Sequence, residues 1–433
     1  MLPEATTEED LAELFQRSLE PDLQPWRERA PLNRSHIDAF VWRWSTYDLH
    51  RQSMIVIYKN RWYYPFHYNW NHTQTKPFEM QGGIHPWLGA TQWYFQKLTQ
   101  EEGWEFPDTF FFYSDWDVGW CYNLKACPMP ALALSKESIT GRYDILVPMM
   151  SKNDLPLYDY PWALKENKAF FVGSGVWGKP TAAAAAVGRA MPGANWRHSP
   201  KVFRAENGTN VTYFSRLHMA QMSLKHPDKI HAALIGKVPN MDSPNARITY
   251  AEAPLPDHAR WKFVMNLDGV TYAFRLGRLM HTNSVVLKEE TSWPEYYVRA
   301  MEPGVHYLPI FKTGPDDVLD VLAQYSDPSR DRELRRIAYN AQQFAVRYLR
   351  PRPRMLYFRR VLKEFKKLFD QPDGTNANQA FLEKTLVPIL EARARGDMNT
   401  TYMDMVPFIP KGWVTCNGTD GKALKLGNCN TGT

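Results

Sequence analysis

The pattern of apolar and polar positions reads as two α/β stretches joined by a proline-rich segment. Residues 1–30 carry an acidic, helix-like pattern that runs out at Pro25-Trp26. The run Ser53 to Tyr64 is rich in β-forming residues, and Lys59-Asn60 interrupts it as a hairpin turn would. Phe110-Phe111-Phe112-Tyr113 is short and continuously apolar, the signature of a buried parallel strand, and it stops abruptly at Ser114-Asp115-Trp116-Asp117. Residues 126–160 are proline-rich and read as a crossing between domains. A second pattern begins near Lys168, with a strand over Ala169–Val172, a glycine-rich turn from Gly173 to Thr181, and a helix-forming run from Ala182 to Arg189. Lys262–Leu267, Ser284–Lys288 and His306–Phe311 read as short strands with helix-like segments between them, and this alternation predicts an α/β sheet. Leu334, Ile337, Ala341, Phe344 and Tyr348 follow a spacing of three and four, which predicts an amphipathic helix over 331–349. Pro351 and Pro353 break that helix, the pattern resumes from Met355 to Phe369, and the tail after about 395 reads as irregular.

A length of 433 residues leaves room for two domains. Hydrophobic residues at 44% and charged residues at 23% exclude a disordered or collagen-like chain. The 16 Trp, 22 Tyr and 22 Phe suit a sugar-binding cleft, because a ring face covers the C–H face of a pyranose; a large aromatic core accounts for them equally well. The net charge of +6 admits an anionic small ligand and does not point to nucleic acid. No stretch reaches the ~18–20 apolar residues of a membrane span, and the acidic start MLPEATTEED is not a secretory signal. Six Asn-x-Ser/Thr sequons, at Asn33, Asn71, Asn207, Asn210, Asn399 and Asn417, nevertheless point to the secretory pathway lumen, ER or Golgi. Two sequence-local cysteine pairs, Cys121 with Cys127 and Cys416 with Cys429, suit two short disulfide loops in that compartment, although four cysteines allow three connectivities and four free thiols in a cytosolic protein are the other reading. A signal or membrane anchor, if any, is then expected outside these residues.

Three constellations could carry chemistry. The turn from Gly173 to Thr181, between a strand and a helix, can present backbone N–H groups to phosphate oxygens, with Lys179 and Arg189 adding charge; an ordinary tight turn is the other reading. Asp115-x-Asp117 can hold a divalent cation and a diphosphate, can supply one general base, or can cap a strand as a solvated turn. The block Lys262 to Arg275 runs an apolar strand into Asp268-Gly269 and then into a helix-like segment carrying Arg275 and Arg278. Arginine there suits bidentate contact with phosphate, while a solvent-facing arginine is the plainer account. Glu289-Glu290 reads as a surface pair, since adjacent side chains diverge. The 13 Lys and Arg between Arg330 and Lys367 read as a solvated helical face. His218, His226 and His231 show no regular metal spacing.

Leu267-Asp268-Gly269, Arg275, Ser284-Val285-Val286-Leu287-Lys288, Pro294-Glu295-Tyr296-Tyr297 and Pro303-Gly304-Val305-His306-Tyr307-Leu308-Pro309 occur in one order and spacing. Together they resemble the family 90 glycosyltransferases, which hold protein O-glucosyltransferases and fungal capsule-associated xylosyltransferases. Phe106-Pro107-Asp108, Ser114 to Asp117, Asp144 to Pro148 and Ala169 to Ser174 resemble further blocks. The similarity spans roughly residues 20–365, and the last ~65 residues show no counterpart.

The resemblance implies a GT-B architecture, in which two Rossmann-like domains face a cleft and a C-terminal helix crosses back to the N-terminal domain. The implied divisions are 1–160 on the acceptor side, 161–348 for the UDP-sugar, and 349–433 as C-terminal helices and irregular tail. It implies an inverting, metal-independent transfer of glucose or xylose from a UDP-sugar to a hydroxyl of a protein or glycan. Asp117 is the implied base. Gly173, Ser174, Asp268, Gly269, Val270, Thr271 and Arg275 are the implied donor contacts, with Asp144 either touching sugar or holding structure. This chain departs from the family pattern at Val172, where an arginine is usual, at Ala273, where a serine is usual, and at Ser114, where an asparagine is usual. Lys179 or Arg189 could replace the missing cation. Two other readings follow from these departures and from the paired aspartates. One is a catalytically silent glycan-binding protein on the same scaffold, and the other a metal-dependent transferase using Asp115 with Asp117.

Overall fold

The computed structural model describes residues 4–44, 52–66, 86–114, 119–121, 123–125, 127–138, 142–150, 155–174, 201–204, 210–235, 248–249, 251–269, 271–397, 415–417 and 424–426. Asp115, Asp117, Lys179, Arg189, Val270 and Cys429, with the predicted helix at 182–189, lie outside the described residues. The chain forms two compact units: Met1–Leu14 with Lys152–Arg354, and Phe15–Ser151 with Met355–Thr433.

The unit built on residues 15–151 holds a five-stranded sheet of β1 (Gln52–Tyr58), β2 (Arg61–Tyr63), β3 (Thr109–Ser114), β4 (Leu132–Ala133) and β5 (Ile145–Leu146), in the order β2-β1-β3-β4-β5. The hairpin forms at the predicted place, with Lys59 at φ 49° and Asn60 at φ 59°, as a tight two-residue turn between twisted strands requires. All of β3 is buried because both its faces are covered. Phe112 meets Phe40 and Trp44, with ring centroids 4.6 and 5.1 Å away, while Phe111 meets Trp62 and Phe358 at 6.0 and 5.9 Å. Its apolar run led to the expectation of a parallel strand, which holds only toward β4; toward β1 it is antiparallel. The stretch read as a crossing between domains holds the boundary of the two units at Ser151 and Lys152, and it also supplies β4 and β5, whose two-residue spans are too short to show a period. Cys121 and Cys127 form the expected disulfide. Cys416 lies in Thr415–Asn417, which pairs with Leu424–Leu426, so the tail is not wholly irregular.

The unit built on residues 152–354 holds β6 (Glu166–Ser174), a separate antiparallel ribbon of β7 (Lys201–Arg204) and β8 (Asn210–Tyr213), then β9 (Ile230–Ile235), β10 (Ile248–Thr249), β11 (Trp261–Asn266), β12 (Val285–Glu289) and β13 (Leu308–Ile310). Six of these strands make one sheet, ordered β10-β9-β6-β11-β12-β13 and parallel throughout. The chain begins at the central β6, works outward through β9 and β10, and returns to the other side of β6 with β11. That is the doubly wound order, and its direction reverses between β6 and β11. Phe171, Met219, Leu234, Phe263, Met265 and Leu287 form the core with Leu334 and Ile337 of the helix Asp331–Tyr348. Pro351 starts the next helix, Pro351–Lys367, at a position where a missing N–H costs nothing. The helix expected after Gly269 is reduced to Leu276–Leu279, with Arg275 at its N-cap, and the described residues 268–269 and 271–274 are not helical.

Candidate functional site

In an open parallel sheet, ligands bind outside the carboxyl ends of the strands, at the point where strand order reverses. Here that point is the gap between the end of β6, at Gly173-Ser174, and the end of β11, which continues as Leu267-Asp268-Gly269. Two guanidinium groups converge on it. Arg216, the second residue of the helix Ser215–Lys225, donates through Nε and Nη2 to the Leu267 carbonyl at 3.2 and 3.1 Å. Its Nη1 donates to the Ser174 carbonyl at 3.1 Å and to Ser174 Oγ at 3.2 Å. Arg275 donates through Nη1 to the Val172 carbonyl at 2.7 Å. Both groups lie over the ring of Phe171, Arg275 with its Cζ 5.0 Å from the centroid and Arg216 at 5.8 Å.

The two glycines are where the guanidiniums require them. A Cβ on Gly173 would stand 2.7 Å from Arg275 Nη2, and one on Gly269 would stand 2.9 Å from Arg216 Nη2. Any larger residue would push the cations away from the strand ends.

Burial, then the like charges of Arg216 and Arg278, push Arg275 down to about 9. Burial also lowers Arg216, opposed by Asp268 and Glu289. A pair of desolvated cations that repel one another is relieved by an anion able to accept from both, and guanidinium forks match phosphate oxygens in geometry. Thr271 is buried, and its Oγ1 has no hydrogen-bond partner among the described residues. Gly269 N bonds the Thr271 carbonyl at 3.0 Å, closing the loop on itself.

Of the expected donor contacts, Gly173, Ser174, Asp268, Gly269, Thr271 and Arg275 are described; Gly173, Ser174, Gly269 and Arg275 meet at this gap, Asp268 follows Leu267 beside it, and Thr271 is tied to Gly269 through its carbonyl. Arg216 was not anticipated. Its helix buries Ser215, Arg216 and Ser223 beside Met219, Ala220 and Met222, so its inner face carries no apolar period to betray it. Glu289 also departs from expectation: its side chain is fully buried, while Glu290 is exposed. The strand continues one residue beyond the predicted Lys288, and alternation turns Glu289 inward. Among the described residues no group of three or more His, Cys, Asp or Glu side chains could hold a metal ion.

A family model described as glycosyl transferase family 90 matches residues 182–417, more than half of the chain. The chain belongs to glycosyl transferase family 90. The match reaches into the tail, for which the sequence alone suggested no counterpart, and it begins after Gly173-Ser174. Protein O-glucosyltransferase 2 of Danio rerio is 30% identical over 112 residues, 26% of this chain and 22% of that protein. Protein O-glucosyltransferase 3 of Homo sapiens is 28% identical over 150 residues, 35% and 29% of the two chains. O-glucosyltransferase rumi of Drosophila pseudoobscura pseudoobscura is 29% identical over 128 residues, 30% of each. The matched segments therefore span less than a third of these relatives. A crystal structure of Anabaena Alr3699/HepE in complex with UDP-glucose covers 44% of this chain and 48% of its own, at 12% identity and a TM-score of 0.28, too slight a likeness to use.

For a family 90 chain, Val172 is explained by its surroundings. Its side chain packs with Phe170 and Ala233 against Trp261, on the face of β6 away from Phe171, where an arginine would lose its hydration. Arg216 brings a cation to Ser174 from a different element.

Proposed function

We propose that this chain is an inverting, metal-independent UDP-sugar glycosyltransferase of GT-B architecture, moving glucose or xylose to a hydroxyl of a protein or glycan in the secretory pathway lumen. The observation that carries the donor half of this reading is the convergence of Arg216 and Arg275 on the reversal point of a doubly wound sheet. Family membership supports the reaction, and the names of the relatives favour glucose and a protein acceptor. The Cys121–Cys127 disulfide and the sequons favour the lumen.

In this reading Gly173, Ser174, Arg216 and Arg275 receive the diphosphate, assisted by Lys179 or Arg189. Asp268, Gly269, Val270 and Thr271 line the nucleotide. The acceptor O–H gives its proton to the Asp117 carboxylate as its oxygen attacks the anomeric carbon. The bond from that carbon to the phosphate oxygen breaks, and UDP departs with the electron pair. The negative charge growing on that oxygen is met by Arg275 and Arg216, fixed before it forms. A single displacement turns an α-linked donor into a β-glycoside.

The test is acceptor-dependent UDP release from UDP-glucose and UDP-xylose in excess EDTA, with folded protein modules and free glycans as acceptors. Release that survives EDTA and disappears in Asp117→Asn is the expected result. Near-wild-type turnover of Asp117→Asn would remove that base. Release abolished by EDTA and restored by manganese would favour Asp115 with Asp117 as a metal pair. Glycan binding with no release under either condition would favour the silent scaffold.

A further inference from the structure

We infer that Glu289 is a positioning residue for donor binding, holding Arg216 and the loop after β11 in their anion-receiving arrangement before the donor arrives. This rests on the donor-site reading above.

The Glu289 side chain is fully buried at the carboxyl end of β12. A carboxylate removed from water is costly unless hydrogen bonds or charges offset the loss. Its Oε2 accepts from Ser215 Oγ at 2.7 Å and from Asp268 N at 2.7 Å. Ser215 is the first residue of the helix that carries Arg216, and Asp268 is the second residue after β11, on the way to Thr271 and Arg275. One oxygen thus pins the two segments that bring the site together.

The connection closes on itself. Arg216 follows Ser215 in the chain and bonds Leu267, which precedes Asp268, while its other arm reaches Ser174 at the end of β6. Hydrogen bonds and peptide bonds therefore close a circuit through the ends of β11 and β12, with a branch from Arg216 to the end of β6. The charges of Glu289 and Asp268 also favour the charged form of Arg216, against its burial. Without the Glu289 carboxylate, the start of the helix and the loop lose their shared anchor, and the guanidinium loses the geometry that matches two phosphate oxygens. A neutral amide of the same shape keeps the anchor, because its carbonyl oxygen accepts both bonds.

The experiment is calorimetric titration of the full chain with UDP and with UDP-glucose in EDTA, well below the melting temperature. Wild type, Glu289→Ala, Glu289→Gln and Ser215→Ala are compared, with thermal melting of each. Glu289→Ala is expected to raise the Kd for UDP at least tenfold, Ser215→Ala about two- to fivefold, and Glu289→Gln less than threefold. A purely structural role predicts lower melting temperatures with an unchanged Kd for the folded protein, and that result would overturn the inference. Equal loss in Glu289→Gln and Glu289→Ala would overturn the hydrogen-bonded anchor. Should Glu289→Ala fail to fold, an unchanged Kd in Ser215→Ala would count against it in the same way. Failure of wild type to bind either ligand would instead remove the donor-site reading itself.

Discussion

Each unit of this chain buries charge beside the strand ends of its sheet, but the two clusters are finished differently. In the 15–151 unit, Asp144 accepts from the Trp120 and Cys121 amides, each at 2.9 Å, one on each oxygen. Lys136 pairs with Asp22 at 2.6 Å and donates to the Asp144 carbonyl at 2.7 Å, while Asp22 accepts from Leu146 N at 2.9 Å. A Cβ on Gly119 would collide with the Asp144 carboxylate, so the turn is built around that group. In the 152–354 unit, by contrast, Arg216 and Arg275 donate to backbone carbonyls and to Ser174 Oγ, Arg275 is repelled by Arg216 and Arg278, and the buried Thr271 hydroxyl has no hydrogen-bond partner among the described residues. Buried charge alone does not mark a site. Charge whose balance improves when an anion arrives does.

The comparison breaks most readily at Asp144. Asp144→Ala leaves two buried amides without acceptors and should cost roughly 2–5 kcal/mol in chemical denaturation, with UDP affinity of the folded fraction unchanged. A small stability loss would remove the structural role assigned to it.

Glu295 gives the next effect. It is buried and accepts from Tyr297 Oη at 2.9 Å, and Tyr297 Oη lies 3.3 Å from the Oη of Tyr272, which follows Thr271. Burial pushes Glu295 up to about 7, against the opposing pull of Arg354 and the two hydroxyls. The unfolded chain releases this proton near 4.5, so between there and pH 7 the folded chain holds a proton that the unfolded chain has lost. The stability from this group is complete below the unfolded value and falls as pH rises to about 7, by at most about 3 kcal/mol. His258 and His281, lowered to about 4 by burial, slope the other way over nearby pH, so the measurement is a difference between variants. Glu295→Gln should gain stability relative to wild type between pH 5 and pH 8. A constant difference across that range would show that Glu295 does not titrate there.

The smallest effect belongs to Thr271. Replacing it with valine removes a buried hydroxyl that has no partner among the described residues, so melting should be unchanged or slightly raised, while UDP affinity falls about threefold to tenfold. A lower melting temperature with unchanged affinity would place the hydroxyl in the fold and not in the site.

The sequence made the fold of the 152–354 unit largely legible because its strands are short, apolar and separated by helices. Lys262–Leu267 and Ser284–Lys288 each fall within one residue of β11 and β12, and Ala169–Val172 lies inside the longer β6. Gly173, Ser174, Asp268 and Arg275 were singled out by the family resemblance; the residues alone left an ordinary turn and a solvent-facing arginine open. Arg216 and Glu289 were not. The helix of Arg216 buries polar residues, and Glu289 looks like one of a surface pair until strand alternation is known to extend past Lys288. In the other unit, β4 and β5 are too short to show a pattern, and the mixed direction of β3 depends on a partner that its own sequence does not name.

The central claim is that Arg275 is held for an anion and not for the fold. Titration of wild type and Arg275→Ala with UDP in EDTA, together with their melting temperatures, tests it directly. The account predicts measurable binding by wild type and binding about ten- to a hundredfold weaker in Arg275→Ala. It also predicts a melting temperature that is unchanged or higher, because a repelled, desolvated cation has been removed. Equal binding by both proteins, or a variant that melts well below wild type with its affinity intact, would contradict it.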